Sequence, residues 1–206
     1  MPPAVPARGQ DAAWPSQMAP ALLQDLIGVL VAVNGVTLFT AAPNLPDAVS
    51  LSRVLPEGID VLVPEDETET RSQLLAAALR QVLSRNFERV VAVAPDTIRL
   101  TVRTVSTALS ALASADAVAG RTPQGGLYLF GTKSLAGVEL ASAADIAGDR
   151  IGAATRLLAE ARRVGLALRW AEPLPRASEL PLPELPSLLA EAATYPRAAA
   201  VARAAL

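Results

Sequence analysis

The chain has 206 residues, 51% of them apolar and 18% charged, with a formal net charge of -2. That is enough for a sizeable core, but Lys133 is the only lysine and there is no basic run to neutralise phosphates, which disfavours nucleic-acid binding. Cysteine and histidine are both absent, so disulfides, thiolate or imidazole metal sites and Ser-His-Asp or Cys-His triads are excluded, leaving carboxylates, arginines, hydroxyls, backbone N–H groups or an oxygen-held metal for any chemistry.

Residues 1–20 hold several prolines and Gly9 without an apolar period, and read as a flexible tail ahead of a single domain over 21–206. They lack the basic-then-apolar order of a secretory signal. The longest apolar run, Leu26 to Val33, is well short of the ~20 residues of a membrane span, so a cytoplasmic protein is expected. Helical spacing of Leu22, Leu23, Leu26, Ile27, Leu30 and Val31 predicts a helix over 21–33, closed by Asn34-Gly35. A strand over 36–40, a short helical piece near 48–54 and a strand over 59–63 follow.

The acidic loop 64–70 leads into an Ala- and Leu-rich helix over 70–84, where Arg80 and Arg85 near the end suit the macrodipole. Beyond it are expected a strand at 90–94, a helix at 101–113, strands at 117–120 and 127–130, a helix at 151–164 and a strand at 166–170. A proline-broken stretch from Pro173 to Pro186 precedes Ala-rich helical turns. Strands alternating with helices predict an α/β domain whose central sheet is mostly parallel, with helices on both faces.

Two segments carry the candidate site. Arg89 to Ala94 is an apolar run that ends at Pro95, Asp96 and Thr97, and an acid at the carboxyl end of a buried strand is a common site position in open α/β folds. Gln124-Gly125-Gly126 feeds the strand bearing Tyr128 and Phe130, two aromatics whose alternation with Leu127 and Leu129 marks them as core. Asp96 could instead satisfy backbone donors in its loop, and the glycine pair could be a simple turn. Arg99 and Arg103 could meet phosphate or merely be solvated, while Glu139, Asp145 and Asp149 have no local motif to make one of them a base.

The succession of helix, Asn-Gly turn, strand, Leu-Pro-Glu-Gly-Ile-Asp-Val, long helix, Phe-Glu-Arg-Val-Val and strand-end Asp resembles an uncharacterised bacterial family of glycosyltransferase-like proteins. These are similar to nucleotide-diphospho-sugar transferases of the A-type fold and to the guanylyltransferases of deazaflavin cofactor biosynthesis. The resemblance spans Ala21 to Leu189. It implies that Asp96 binds Mg²⁺ or Mn²⁺, and that Pro95, Thr97, Gln124, Gly125, Gly126 and Arg71 contact a nucleotide-sugar or nucleoside triphosphate.

Departures from the family pattern cut against activity. Gln124 stands where the family has an acid, Leu74 stands where it has an arginine that Arg71 could replace, and residues 1–20 hold no expected equivalent of the family's first strand and donor loop. The family's later loop is approximated by Gly148-Asp149-Arg150, and its C-terminal acidic segment by Ala177-Ser178-Glu179-Leu180. The expectation is a degenerate, non-catalytic binding or assembly module; the alternative is a metal-dependent glycosyltransferase or nucleotidyltransferase. A sheet without its first strand should also have its edge covered by the tail 1–20, by a C-terminal helix, or by a homo-oligomer or protein partner.

Overall fold

The computed structural model describes residues 17–204 apart from 66, 67, 69, 148–151, 181–183, 192 and 193. The expectations placed on the first sixteen residues, on part of the acidic loop, and on Gly148, Asp149 and Arg150 lie outside the described residues. Helix α1 (Met18–Val31) starts ahead of the expected Ala21, because Met18 is itself fully buried. β1 (Phe39–Ala41) follows, then α2 (Leu45–Ser52), whose Asn44 cap accepts the Asp47 N–H at 2.9 Å, and β2 (Asp60–Leu62).

Helix α3 (Arg71–Ser84) is opened by a reciprocal capping box between Thr70 and Gln73. Its arginines do not serve the helix dipole as expected. Arg80 reaches Glu139 at 2.6 Å and Arg85 reaches Asp60 at 3.2 Å, both on other elements. β3 (Val90–Val93), α4 (Val102–Ala111) with its Thr101 cap, β4 (Ala117–Arg121) and β5 (Leu127–Thr132) come next. The order ends with α5 (Leu135–Ala143), α6 (Ala153–Val164), β6 (Leu168–Ala171), a 3₁₀ turn (Ala177–Glu179), α7 (Leu185–Glu191) and α8 (Pro196–Ala204).

Helix α5 has no counterpart among the sequence-based expectations. Gly137 in its first turns lowers helix propensity, yet a side chain there would collide with Thr132, so glycine lets the helix sit directly on β5. The signal that could have revealed it is Ser134, whose hydroxyl caps the Gly137 N–H at 3.4 Å.

The main sheet has the order β3-β5-β4-β6. β3, β4 and β6 run one way and β5 runs against them, so strand direction is mostly parallel while β5 supplies two antiparallel ladders. The reversal follows from the connection: the Thr122 to Gly126 turn is too short for a crossover, and only a hairpin can close it. One face packs Leu127 and Phe130 against α3, α5 and α6, and the other packs Val118 and Leu129 against α1 and α4. Tyr128 and Phe130 are both buried as expected, but strict alternation is broken: Tyr128 packs with Leu129 and Phe130 with Leu127, where the β4–β5 register shifts at Gly120 and Arg121.

β1 and β2 form a separate parallel pair. Phe39 at the start of β1 meets Phe87, three residues ahead of β3, edge to face at 5.4 Å. Between β1 and β3, among the described residues, no strand is present. Helices α7 and α8 pack on α1 around Met18, Leu22 and Tyr195, so the expected covering of the sheet edge by a C-terminal helix does not occur. No helix among the described residues is long and apolar enough to cross a membrane.

Candidate functional site

A cavity of about 1740 Å³ opens where β1 and β3 are apart. Its walls include the apolar sides of α1 and α3, and Arg71, Pro95, Asp96, Arg176 and Ser178 are among its lining residues. Arg71, Leu74, Pro95 and Asp96 all line this cavity. Arg176 and Ser178 come from beyond β6.

The segment carrying them is fixed by backbone bonds. Ile98 N–H donates to the Pro175 carbonyl at 2.9 Å and Ala177 N–H donates to the Asp96 carbonyl at 2.8 Å, while Thr97 and Arg176 form an antiparallel bridge. This pairing puts a guanidinium beside the strand-end acid. Arg176 Nε donates to Asp96 Oδ1 at 2.8 Å, and the Ser178 N–H donates to Oδ2 at 3.2 Å. Both side chains are largely buried, 14% and 13% exposed.

Burial alone would raise the Asp96 pKa, but the Arg176 charge and the hydrogen bonds from Ser178 and Arg176 outweigh it and hold the carboxyl below its ordinary value. Asp96 thus stays ionised. Both of its oxygens are already engaged, and one engagement is with a cation.

That donor set does not suit a divalent metal. A second positive charge next to Arg176 is repelled, and both Asp96 oxygens already accept hydrogen bonds. Glu139 is taken by Arg80, and Asp145 accepts the Ser72 hydroxyl at 2.5 Å. Arg99 and Arg103 are exposed and do not line the cavity.

Thr97 lies beneath the mouth, fully buried, with its hydroxyl on the Ala94 carbonyl at 2.7 Å and its own carbonyl accepting the Tyr195 hydroxyl at 2.7 Å. Its observed role is to tie the end of β3 to the α1–α8 layer. Gln124, Gly125 and Gly126 form the β4–β5 turn and do not line the cavity. Gly125 has φ +88°, Gly126 N–H donates to Thr122 Oγ1 at 2.9 Å, and the Gly125 carbonyl accepts the Ala154 N–H at 3.1 Å. The turn's polar backbone is spent internally and on α6, while Gln124 is exposed. The link back to the site is Leu127, whose carbonyl accepts Arg176 Nη1 at 3.4 Å.

Arg176 is the site residue that the sequence did not single out. It stands in a proline-broken stretch, far along the chain from Asp96. The hints were Pro173 and Pro175, which force an extended chain, and the segment Ala177 to Leu180 beside it, matched to the family's C-terminal acidic segment.

A family profile described as "Uncharacterized protein conserved in bacteria (DUF2064)" matches residues 32–145. Among solved structures, the chain is similar to the "putative nucleotide-diphospho-sugar transferase from Desulfovibrio desulfuricans G20", with a TM-score of 0.73 and 17% identity over 91% of this chain and 81% of that one. It is also similar to the Mycobacterium tuberculosis rv0371c homolog from mycobacterium sp. strain JC1, with a TM-score of 0.52 and 21% identity over 73% and 71% of the two chains. At these identities the likeness is one of fold. No curated protein sequence matches the chain.

Proposed function

The chain belongs to this family of uncharacterised bacterial proteins, and on that premise we propose that it keeps a nucleotide-diphospho-sugar transferase-like fold as a non-catalytic binding or assembly module. The observation that carries this reading is the Asp96–Arg176 pair: the carboxylate in the position of a metal ligand is neutralised by a guanidinium 2.8 Å away. Gln124 in place of an acid points the same way, since a neutral amide adds no attraction for a dication.

The alternative, a Mg²⁺- or Mn²⁺-dependent transferase acting on a nucleotide-sugar or nucleoside triphosphate, is favoured by one arrangement. Arg71 and Asp96 line the same cavity, one able to meet a phosphate and the other a metal. For that chemistry Arg176 would have to turn from Asp96 onto the phosphates.

Thermal melting with uridine or guanosine diphosphate-sugars and nucleoside triphosphates, with and without Mg²⁺ or Mn²⁺, separates the two readings. A ligand present at 100 times its Kd stabilises by about 2.7 kcal/mol, a shift easily seen. The module reading expects no metal-dependent shift at millimolar ligand. A shift that needs the metal and disappears in Asp96→Ala would overturn the claim that Arg176 closes the metal position and favour the transferase instead.

A further inference from the structure

We propose that the cavity lined by α1, α3 and Arg176 binds a diphosphate monoester with a long apolar chain, without a metal ion, the phosphates being held by the Arg176 guanidinium. This rests on the reading of the protein as a binding module and names the class of ligand that the module takes.

Arg176 lines the cavity with its orientation fixed by the protein. Its Nε donates to Asp96 Oδ1 at 2.8 Å and its Nη1 to the Leu127 carbonyl at 3.4 Å, while Nη2 has no partner among the described residues. A guanidinium held in this way keeps N–H donors for a phosphate oxygen, and its planar fork suits that geometry. Arg71 lines the same cavity, is exposed, and has no carboxylate partner among the described residues. The charged lining residues are Arg71, Arg89 and Arg176 against Glu88 and Asp96, so positive charge is in excess. The charge that a dication would bring to a diphosphate is thus supplied by arginine.

The rest of the lining sets the organic part. Leu26, Ile27 and Leu30 of α1 and Leu74, Leu75 and Ala78 of α3 face the cavity. Its volume of about 1740 Å³ exceeds the about 300–1,000 Å³ of common small-molecule sites. An isoprenoid or alkyl chain is stabilised in proportion to the apolar area it covers there, whereas the polar groups of a nucleoside need partners that leucine and alanine do not offer.

Asp96 is then a positioning residue with two opposed effects. It orients Arg176 through Nε, and its negative charge repels the bound anion. A metal ligand would have only the first kind of effect, so removing the charge separates the two roles by sign.

Isothermal titration of the full chain in EDTA with farnesyl diphosphate, kept below its micellar range, tests the inference. Geranyl diphosphate, farnesol and uridine diphosphate are the comparisons. Saturable binding of farnesyl diphosphate is expected, about tenfold or more weaker for each comparison, which lacks part of the chain, the anion or the apolar body. Asp96→Asn should tighten binding by about threefold or more, because an acceptor for Arg176 remains while the repelling charge goes. Arg176→Met should weaken it by about tenfold or more. If that variant fails to fold, the same loss is read between Asp96→Asn and the double variant Asp96→Asn with Arg176→Met, in which no buried charge is left unpaired. No binding in EDTA, equal binding of any comparison, unchanged or weaker binding in Asp96→Asn, or indifference to the loss of Arg176 would overturn the inference. The module reading falls separately, on a metal-dependent shift that Asp96→Ala removes.

Discussion

β5 and β1 are both short apolar strands, yet β5 is buried along its whole length while β1 is half-buried throughout. β5 has a hydrogen-bonded neighbour on each side and a helical layer on each face, whereas β1 has a neighbour on one side and a cavity on the other. The difference teaches that strand-forming sequence does not secure a strand's stability; neighbours do. The β1–β2 pair is held to the rest chiefly through α3 and the Phe39, Phe87 and Arg85 cluster, where the Arg85 guanidinium lies 5.3 Å from the Phe39 ring centre.

The largest test of that contrast is a pair of truncations. Phe130→Ala on the closed side should cost about 3–5 kcal/mol in urea unfolding, as for a core phenylalanine, and Phe39→Ala on the open side under about 2 kcal/mol. Equal costs would mean that the two regions are equally well packed.

At the junction between them, Arg176→Ala strands a mostly buried carboxylate. Its cost should be about 2 kcal/mol near neutral pH, somewhat below the about 3–5 kcal/mol for breaking a fully buried pair. The pH dependence has a definite sign. Since Asp96 is held below its ordinary value in the fold, its contribution is complete above about pH 4 and is lost as pH falls through the folded value. Native protein and Asp96→Asn should therefore differ near neutrality and converge in acid, as followed by denaturant midpoints.

A smaller effect is expected at Tyr195, whose hydroxyl bonds the Thr97 carbonyl beneath the site. Tyr195→Phe should lose about 1 kcal/mol at neutral pH. Burial pushes the phenol up to about 12, with the Asp25 charge adding and a backbone hydrogen bond opposing. Stability from the neutral phenol is full below about pH 10 and is lost as pH rises toward the folded value, so the native melting temperature should drop there more steeply than that of the phenylalanine variant. Smallest of all, Arg85→Ala removes an exposed ion pair and a ring contact and should cost below about 1 kcal/mol, yet it should speed exchange selectively in β1 and β2. An effect spread over the whole sheet would contradict a locally clamped β1–β2 pair.

Much of this architecture was legible in the residues. Thr70 and Thr101 mark helix starts, the run ending at Asp96 marks a strand with an acid at its end, and the short glycine turn at Gly125 marks two successive strands. Helix α5 was hidden because Gly137 answers to Thr132 on β5 rather than to helix propensity. Asp96 and Arg71 stood out in the sequence because each opens or closes a periodic element, and both line the cavity. Thr97 and the Gln124–Gly126 turn were drawn toward the site by their positions beside motifs, and their hydrogen bonds go to the scaffold instead.

Composition and periodicity by themselves determined the α/β class, the lack of cysteine and histidine chemistry, and the strand that delivers Asp96. These properties rest on local spacing and residue type, which the chain carries without folding. Tertiary structure alone decided that Arg176 meets Asp96 and that a gap separates β1 from β3. Both depend on contacts between segments far apart in sequence: whether an acid is free for a metal or tied to a guanidinium, and whether an edge is paired or open, is fixed only by what the rest of the chain places beside it.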